Sequence, residues 1–232
     1  MSQSKKKIKP SYYFEKKLWS KGIEFIAGAD EVGRGCFAGP VVAAVVAFAP
    51  DYELGERIDD SKKLTYLQRT IAEKWIKKNV LTWGVGEAST ALINRLGMGK
   101  ATKVAFRKAV KAANLKLKVQ NEKLEYLLID AFYVPYLRSF PRSKQLAITK
   151  GDGKSISIAA ASIVAKVYRD SLMEKIGNHS RYKKYDWENN KGYGTKNHQE
   201  AILNYGITGY HRKQFVDTFL NNFSSSRVQS GA

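Results

Sequence analysis

The chain has 232 residues, of which 40 are lysine or arginine and 21 are aspartate or glutamate, giving a formal net charge of +19. This surplus indicates a polyanionic partner, with nucleic acid first and an anionic membrane surface second. No apolar run is long enough to span a bilayer, the N-terminus lacks the apolar segment of a secretory signal, and the single cysteine, Cys36, excludes an intrachain disulfide. We therefore expect a cytoplasmic protein that is monomeric and not inserted in a membrane.

A basic arm and a short helix are predicted over residues 1–20. Short apolar and β-branched runs then predict five strands, at Phe25–Ala29, Val41–Phe48, Val80–Val85, Leu124–Ile129 and Leu146–Thr149. Other stretches predict helices that begin near Thr65 and Ser89, and further helices at Lys100–Ala113, Ser155–Ile176, His198–Tyr205 and Gln214–Phe223. This alternation predicts an α/β fold, in which helices flank a mixed β-sheet.

The helix after Thr65 is predicted in the most detail. Thr65 and Gln68 have the spacing of a capping box. Leu67, Ile71 and Trp75 share one face, the apolar side of an amphipathic helix.

The composition changes near Gly177, where polar and aromatic sequence begins. We place a loose domain boundary there. The α/β body then covers residues 21–177, a smaller helical part covers residues 178–223, and residues 224–232 form a disordered tail.

Three of the predicted strand ends carry carboxylates. Asp30 and Glu31 follow the first strand, Asp130 ends the fourth, and Asp152 lies in a glycine-flanked loop after the fifth. Because successive side chains on a strand point to opposite faces, Asp30 and Glu31 can share a site only if the strand ends there and the chain turns. Ligands of such sheets bind beyond strand ends, and carboxylate oxygens suit a hard cation such as Mg²⁺. The alternative for an isolated Asp-Glu pair is a solvated acidic turn.

The glycines that follow permit a turn and let a ligand approach the backbone closely. Gly33, Gly35 and Ala38 also fit the G-x-G-x-x-A spacing of a dinucleotide-binding turn. That fingerprint needs a helix directly after the glycines, whereas Pro40 and a β-branched run follow here. A strand–loop–strand arrangement is the better interpretation, so a dinucleotide site is poorly supported.

Six segments occur in the order GADEVGRGCFAGPVVAA, DDSKKL, YLLID, KGD, AAASIVAKVYRD and NKGYGT. Together they resemble bacterial ribonuclease HII, a type 2 ribonuclease H, from about Phe25 to about Phe223. The resemblance implies a ribonuclease H-like fold, with a C-terminal part that contributes to substrate binding. It implies an endonuclease that cuts the RNA strand of RNA–DNA hybrids, and cuts at ribonucleotides embedded in duplex DNA, leaving 3′-hydroxyl and 5′-phosphate ends.

The resemblance also implies a metal site with four carboxylates, which map onto Asp30, Glu31, Asp130 and Asp152. Two divalent ions, Mg²⁺ or Mn²⁺, would activate a water and neutralise the transferring phosphate. We assign Asp30 as the bridging ligand and place Asp152 on the water side. Asp170, which lies within a predicted helix, competes with Asp152 for the fourth position.

Ribose recognition requires contact with the 2′-hydroxyl. We assign this contact to backbone groups of Gly33, Arg34 and Gly35, with Arg34 also holding a phosphate. Tyr193, between two glycines, is assigned to stack on the neighbouring sugar, although its spacing alone would indicate a turn tyrosine half packed on the core. Further phosphate contacts are assigned to Ser61, Lys62, Lys63, Lys166 and Arg169.

The histidines and the cysteine are expected to be structural. His179, His198 and His211 lack the spacing of metal ligands, and Cys36 is expected to pack. Two other functions stay open: a non-catalytic nucleic-acid binder, and a metal nuclease of the same fold that acts on DNA junctions. A binder would have no use for carboxylates that repel phosphate, and a junction nuclease would not depend on a 2′-hydroxyl.

Overall fold

A computed structural model describes residues 9–137 and 140–229 of the chain. Within them one sheet contains five strands: β1 (Ile26–Val32), β2 (Val41–Ala47), β3 (Thr82–Ala88), β4 (Tyr126–Asp130) and β5 (Gln145–Ile148). Their order across the sheet is β3-β2-β1-β4-β5. Strand β1 pairs antiparallel with β2 and parallel with β4, and β4 pairs parallel with β5. The predicted mixed sheet is confirmed.

The described residues also form eight α-helices: α1 (Tyr13–Trp19), α2 (Tyr66–Asn79), α3 (Thr90–Leu96), α4 (Met98–Leu117), α5 (Ile156–Gly177), α6 (Trp187–Asn190), α7 (Lys196–Tyr205) and α8 (Lys213–Gln229). The capping box of α2 is confirmed, since Thr65 and Gln68 exchange both hydrogen bonds. The predicted apolar face of α2 is wrong, because Leu67 is 66% exposed and Ala72 and Ile76 are buried instead. None of these helices is long and apolar enough to cross a membrane.

The chain divides into two compact units, and each draws on three segments of the sequence. The first unit contains the described parts of Met1–Val32, Val42–Glu87 and Lys103–Val167. The second unit contains Gly33–Val41, Ala88–Thr102 and the described part of Tyr168–Ala232. The last division along the chain falls within α5, between Val167 and Tyr168, whereas the loose boundary was predicted near Gly177, where α5 ends.

In the first unit, strand β2 lies at the centre of the core. Val42 and Val46 of β2, and Phe48 directly after it, pack with Ala160 and Val164 of α5 in one buried cluster. The apolar first half of α5 is buried, as its composition predicts. This helix therefore packs as a buried layer against the strands that carry the acidic residues.

Strand β1 and helix α5 approach each other very closely at Gly28. A Cβ atom there would lie 2.0 Å from the carbonyl carbon of Ser157. No side chain fits at that distance, so glycine is required by the packing. The close approach lets Ser162 of α5 form a hydrogen bond with Asp30 of β1.

A buried glutamate holds the start of α5. Glu15 of α1 accepts hydrogen bonds from the hydroxyl of Ser155 (2.6 Å) and the backbone N–H of Ser157 (3.0 Å). The carboxylate satisfies an amide of the first turn of α5, where negative charge is stabilising.

In the second unit, the core contains stacked aromatic side chains. The rings of Tyr185 and Trp187 stack with centroids 5.2 Å apart, beside the buried Met173. Helix α8 continues to Gln229, so the disordered tail predicted from Ser224 is wrong as far as that residue. Residues 230–232 and most of the predicted basic arm, residues 1–8, lie outside the described part of the chain.

Candidate active site

The parallel strands bring three acidic positions to one edge of the sheet. The β1–β4 pairing ends at Ala29 and Ile129, so Asp30 and Asp130 come directly after the last pair. Strand β5 pairs with β4 as far as Asp130, and Asp152 lies in the short 3-10 turn that follows β5. Carboxyl ends of neighbouring parallel strands share one edge, where ligands of α/β sheets bind.

At Asp30 and Glu31 the strand β1 loses its partner on one side only. Strand β1 leaves β4 after Ala29 but stays paired with β2 as far as Val32. Asp30 and Glu31 therefore lie within a strand, and the expectation that the strand ends before them is wrong. Oδ1 of Asp30 accepts a hydrogen bond from the N–H of Glu31 at 2.8 Å, which folds the carboxylate back along the chain.

Asp30 is a buried carboxylate close to other acidic groups. Burial raises its pKa to about 8, with further increases from the charges of Glu31 and Asp130, against the hydrogen bond from Ser162. The Ser162 hydroxyl is 2.9 Å from that of Ser61, so two hydroxyls form a chain that leads to Asp30. A carboxylate in this position gains much from a nearby cation.

Asp130 and Asp152 are coupled in the same way. Burial raises the pKa of Asp130, as does the charge of Asp152, although the N–H of Gly151 donates to Asp130 Oδ1 at 2.7 Å. The ammonium of Lys62 lies 3.1 Å from Asp152 Oδ2 and partly balances the acidic charge. Asp30, Asp130 and Asp152 thus form one electrostatically connected group in the first unit.

The Gly33-Arg34-Gly35 loop belongs to the second unit. Gly33 has a φ of +89°, and a Cβ atom there would lie 2.1 Å from Nε of Arg169. Both facts require glycine at this position. Arg34 and Gly35 are exposed, and open space surrounds the α-carbon of Gly35. The loop therefore offers backbone groups that a ligand can approach.

Tyr193 also lies in the second unit and is 38% exposed. The turn before it is held by the carbonyl of Gly192, which accepts from the N–H groups of Phe37 (2.8 Å) and Ala38 (3.1 Å). Gly194 lets the ring of Phe37 approach the backbone, because a Cβ atom on residue 194 would lie 2.7 Å from the ring carbons of Phe37. The tyrosine is fixed at its base while part of its ring stays accessible.

A family model for ribonuclease HII matches residues 27–218. The chain belongs to the ribonuclease HII family. It is therefore a type 2 ribonuclease H, an endonuclease that acts on RNA in RNA–DNA hybrids. The ribonuclease HII of Caldanaerobacter subterraneus subsp. tengcongensis is 44% identical over 215 residues, which cover 93% of this chain and 83% of the relative. The ribonuclease HII of Wolbachia sp. subsp. Brugia malayi is 45% identical over 208 residues, which cover 89% of this chain and 93% of the relative.

Solved structures agree with this family membership. The structure of the PCNA:RNase HII complex from Archaeoglobus fulgidus contains a chain that is 25% identical, with a TM-score of 0.61 over 81% of this chain and 93% of that one. The ribonuclease H2 of Pyrococcus horikoshii OT3 gives a TM-score of 0.63 over 86% of this chain and 98% of that one. The second match is 23% identical and shows the shared fold alone.

The donor chemistry of the ribonuclease HII acidic edge fits hard divalent cations. Its groups are carboxylate oxygens, and the pKa values of Asp30 and Asp130 are raised by burial and by neighbouring negative charge, which a bound cation would offset. Within residues 9–137 and 140–229, no three carboxylate, imidazole or thiolate groups converge closely enough to hold an ion as they stand.

The predicted phosphate contacts divide into three cases. Ser61 is buried against Ser162. Lys62 contacts Asp152, Lys63 contacts Asp59 at 3.3 Å, and both lysines stay accessible. Lys166 is half-buried. Arg169 is fully buried and donates to backbone carbonyls, so its assignment as a phosphate contact is wrong.

The sequence analysis missed two lysines beside Asp152. A cavity of about 420 Å³ in the first unit is lined by Lys62, Lys63, Lys150 and Lys154 together with Asp152. The segment Lys150-Gly151-Asp152-Gly153-Lys154 shows the signal in the sequence itself, since a carboxylate flanked by glycines and lysines suits a cation and a phosphate together. The cavity combines acidic and basic groups within one small volume.

Two of the histidines meet in the core of the second unit. Nε2 of His198 accepts from Trp187 Nε1–H at 3.0 Å and lies 3.2 Å from Nε2 of His211. Since the indole can only donate, His198 carries its proton on Nδ1 and donates to the carbonyl of Tyr193 at 2.8 Å. His211 Nδ1 accepts from the N–H of Thr208 at 2.8 Å. Both histidines are neutral and structural, and Cys36 is buried.

Proposed function

We propose that the chain is a metal-dependent endonuclease that hydrolyses phosphodiester bonds at ribonucleotides, including single ribonucleotides in duplex DNA, and leaves 3′-hydroxyl and 5′-phosphate ends. Such an activity removes misplaced ribonucleotides and processes RNA primers. The observation that carries the proposal is the connected group of Asp30, Asp130 and Asp152 at one edge of the parallel strands β1, β4 and β5.

The proposed metal ligands are Asp30, Glu31, Asp130 and Asp152. Two divalent ions, Mg²⁺ or Mn²⁺, supply an activated water and neutralise charge on the phosphate during an in-line displacement. Asp30 is the proposed bridging ligand, because it is buried and its charge interacts with those of both Glu31 and Asp130. Lys62 neutralises Asp152 in the free protein and becomes available to a phosphate once a cation takes over that role.

The substrate is proposed to be recognised by two kinds of group. Lysines of the first unit, Lys62 and Lys63 with Lys166, contact phosphates, as does the Ser61 hydroxyl. In the second unit, the backbone of Gly33, Arg34 and Gly35 contacts the 2′-hydroxyl and Tyr193 stacks on the adjacent sugar. The exposure of Arg34, Gly35 and Tyr193 supports these assignments.

The direct test is Asp130→Asn, which keeps the shape of the side chain and removes its charge. Cleavage of a duplex with one ribonucleotide should fall by at least about 100-fold, because even the outer partners of metal ligands are worth about 10- to 100-fold. Asp51→Asn is the matched control, since Asp51 is a highly exposed aspartate. Wild-type rates for Asp130→Asn in Mg²⁺ and in Mn²⁺ would contradict the proposal.

Dependence on ribose is tested with duplexes that contain no, one or several ribonucleotides, each with and without a chelator. We expect cleavage at ribonucleotides only, abolished by the chelator. Cutting of the all-DNA duplex or of a DNA junction would favour the junction nuclease, and binding without cutting would favour the non-catalytic binder. The monomeric state and the cytoplasmic location stay predictions.

A further inference from the structure

Two buried arginines of the second unit contact the backbone between Arg34 and Pro40. Arg212, which directly precedes α8, donates from Nη1 to the carbonyls of Arg34 and Cys36, both at 2.9 Å. It donates from Nε to Gly39 at 2.9 Å and from Nη2 to Pro40 at 3.0 Å. The guanidinium is fully buried, and these acceptors are neutral carbonyls.

Arg169 of α5 connects the same segment to the turn that carries Tyr193. Its Nη2 and Nε donate to the carbonyls of Ala38 and Pro40, both at 3.1 Å. Its Nη1 donates to the carbonyl of Lys191 at 2.9 Å, and its guanidinium carbon lies 5.7 Å from the centre of the Tyr193 ring. One side chain therefore contacts both segments that are assigned to the ribonucleotide.

The contact between Arg212 and Arg34 determines where the next amide points. In a planar trans peptide, the C=O of one residue and the N–H of the next point in opposite directions. Because the carbonyl of Arg34 is held towards the buried guanidinium, the N–H of Gly35 is directed away from it. Gly35 is exposed with open space around its α-carbon, so this donor is presented to a ligand.

Arginine stays protonated in proteins even where it is buried. Burial, with a smaller effect from the Arg169 charge, holds the pKa of Arg212 at about 10, which leaves it protonated at neutral pH. Removing an arginine from water is costly unless its donors are satisfied, and here the backbone carbonyls satisfy them. A lysine has a single ammonium and cannot reach the same widely spaced carbonyls as a planar guanidinium.

We infer that Arg169 and Arg212 are positioning residues for ribonucleotide recognition: Arg212 aims the amide of Gly35, and Arg169 holds the Gly33–Pro40 segment in register with the Tyr193 turn. The inference rests on the proposed function of these two segments. It deepens that function, because it identifies the buried groups that select the conformation of the recognition loop. The arginine pair acts through the backbone and does not touch the substrate.

The experiment measures selectivity in binding. In the non-cleaving Asp130→Asn background, the dissociation constants of an all-DNA duplex and of the same duplex with one ribonucleotide are compared for Arg212→Lys and Arg169→Lys. Arg95→Lys, an exposed arginine of α3 in the second unit, is the control and should retain the wild-type ratio. The ratio is insensitive to a loss of folded protein, because such a loss changes both apparent constants equally.

Displacement of a recognition group by about 1 Å can cost about 100-fold in rate. We expect each lysine variant to lose at least about 10-fold in the binding ratio, while affinity for the all-DNA duplex changes by less than about 2-fold, since most binding to phosphates comes from other cations. In the cleaving background, kcat/KM on the one-ribonucleotide duplex should fall by the same factor or more. If Arg212→Lys does not fold, Arg169→Lys carries the test.

Gly35→Pro separates the inference from the proposed function, because proline has no backbone N–H and so removes the donor itself. The inference is supported if the preference for the one-ribonucleotide duplex, measured as the ratio of the two dissociation constants, falls in Gly35→Pro and in both lysine variants. Loss in Gly35→Pro with an unchanged ratio in both lysine variants overturns the inference and leaves the proposed function standing. An unchanged ratio in Gly35→Pro and Tyr193→Ala overturns the assigned role of the loop, and the inference with it.

Discussion

The two units of the molecule handle buried charge in opposite ways. In the first unit, Asp30 and Asp130 have raised pKa values because burial and neighbouring carboxylates destabilise their charged forms. In the second unit, Arg169 and Arg212 are buried as cations and are satisfied by backbone carbonyls. The first arrangement is only partly balanced by the Lys62 ammonium and suits further cations, whereas the donors of the second are satisfied within the protein. Under the proposed function, side chains carry the chemistry in the first unit, and backbone groups are presented to the substrate in the second.

This comparison predicts its largest effect for a charge change that leaves the shape intact in the first unit. Asp152→Asn should lower kcat on a one-ribonucleotide duplex by at least about 100-fold, because the proposed metal site loses a carboxylate while duplex affinity is preserved. Steady-state kinetics, with duplex binding measured separately, check this. Asp170→Asn is the informative companion, since Asp170 belongs to the second unit. A larger loss for Asp170→Asn than for Asp152→Asn would transfer the fourth position to Asp170.

How far the sequence predicts the molecule follows the same division. The strand ends at Asp130 and before Asp152 were predicted because short apolar runs and glycine-rich loops are local signals. The continuation of β1 through Glu31 was missed because it depends on pairing with β2, which a local pattern does not show. The structural role of Arg169 was missed for the same reason: its acceptors, such as Ala38 and Lys191, come from distant parts of the chain.

Helix α2 shows a smaller limit of the same kind. Its capping box was predicted because both partners lie within one turn. Its buried face was misplaced because the side that faces the core is chosen by β2 and α5, so that Ala72 and Ile76 are buried and Ile71 is exposed.

Acid stability gives the next largest effect and tests the second unit. Burial, and then the nearby His198, lower the pKa of His211 to about 4, from an unfolded value near 6.5. The unfolded state therefore binds a proton between these pH values while the folded state does not, so this stability is complete above pH 6.5 and is lost as pH falls towards 4. By linkage, the loss between pH 7 and pH 5 is about 2 kcal/mol in the free energy of unfolding.

Asp30 titrates in the opposite sense, because its folded pKa is raised. The quantity to measure is therefore the difference in unfolding free energy between the wild type and His211→Asn at each pH, from denaturant titrations, in which the contribution of Asp30 cancels. That difference should shrink from pH 7 to pH 5. His179→Gln is the control at an exposed histidine, and a constant difference for His211→Asn would refute the assignment of a neutral buried pair.

Tyr193 provides a smaller effect on recognition. Tyr193→Ala should reduce kcat/KM on a one-ribonucleotide duplex by about 10-fold, the low end of the about 1–3 kcal/mol that aromatic stacking contributes per base, because a sugar has no π face. Tyr193→Phe keeps the ring and should retain most of the activity. If both variants lose activity equally, the hydroxyl and not the ring is the important group, and the stacking role is wrong.

The smallest effect concerns the lysines that flank Asp152. If Lys150 and Lys154 each neutralise one phosphate, replacing both with alanine should reduce the slope of log K against log salt by about 1.8, since each phosphate contact on B-DNA contributes about 0.9. At a fixed moderate salt concentration the affinity falls in line with this slope, and the smallest effect is the one on kcat at saturating substrate, which changes little. Duplex binding measured from low to high salt checks this, with Lys196→Ala and Lys213→Ala as exposed controls in the second unit. An unchanged slope would mean that Lys150 and Lys154 do not contact phosphates of the nucleic acid. Their role would then be to offset the negative charge of the acidic edge, as Lys62 does at Asp152.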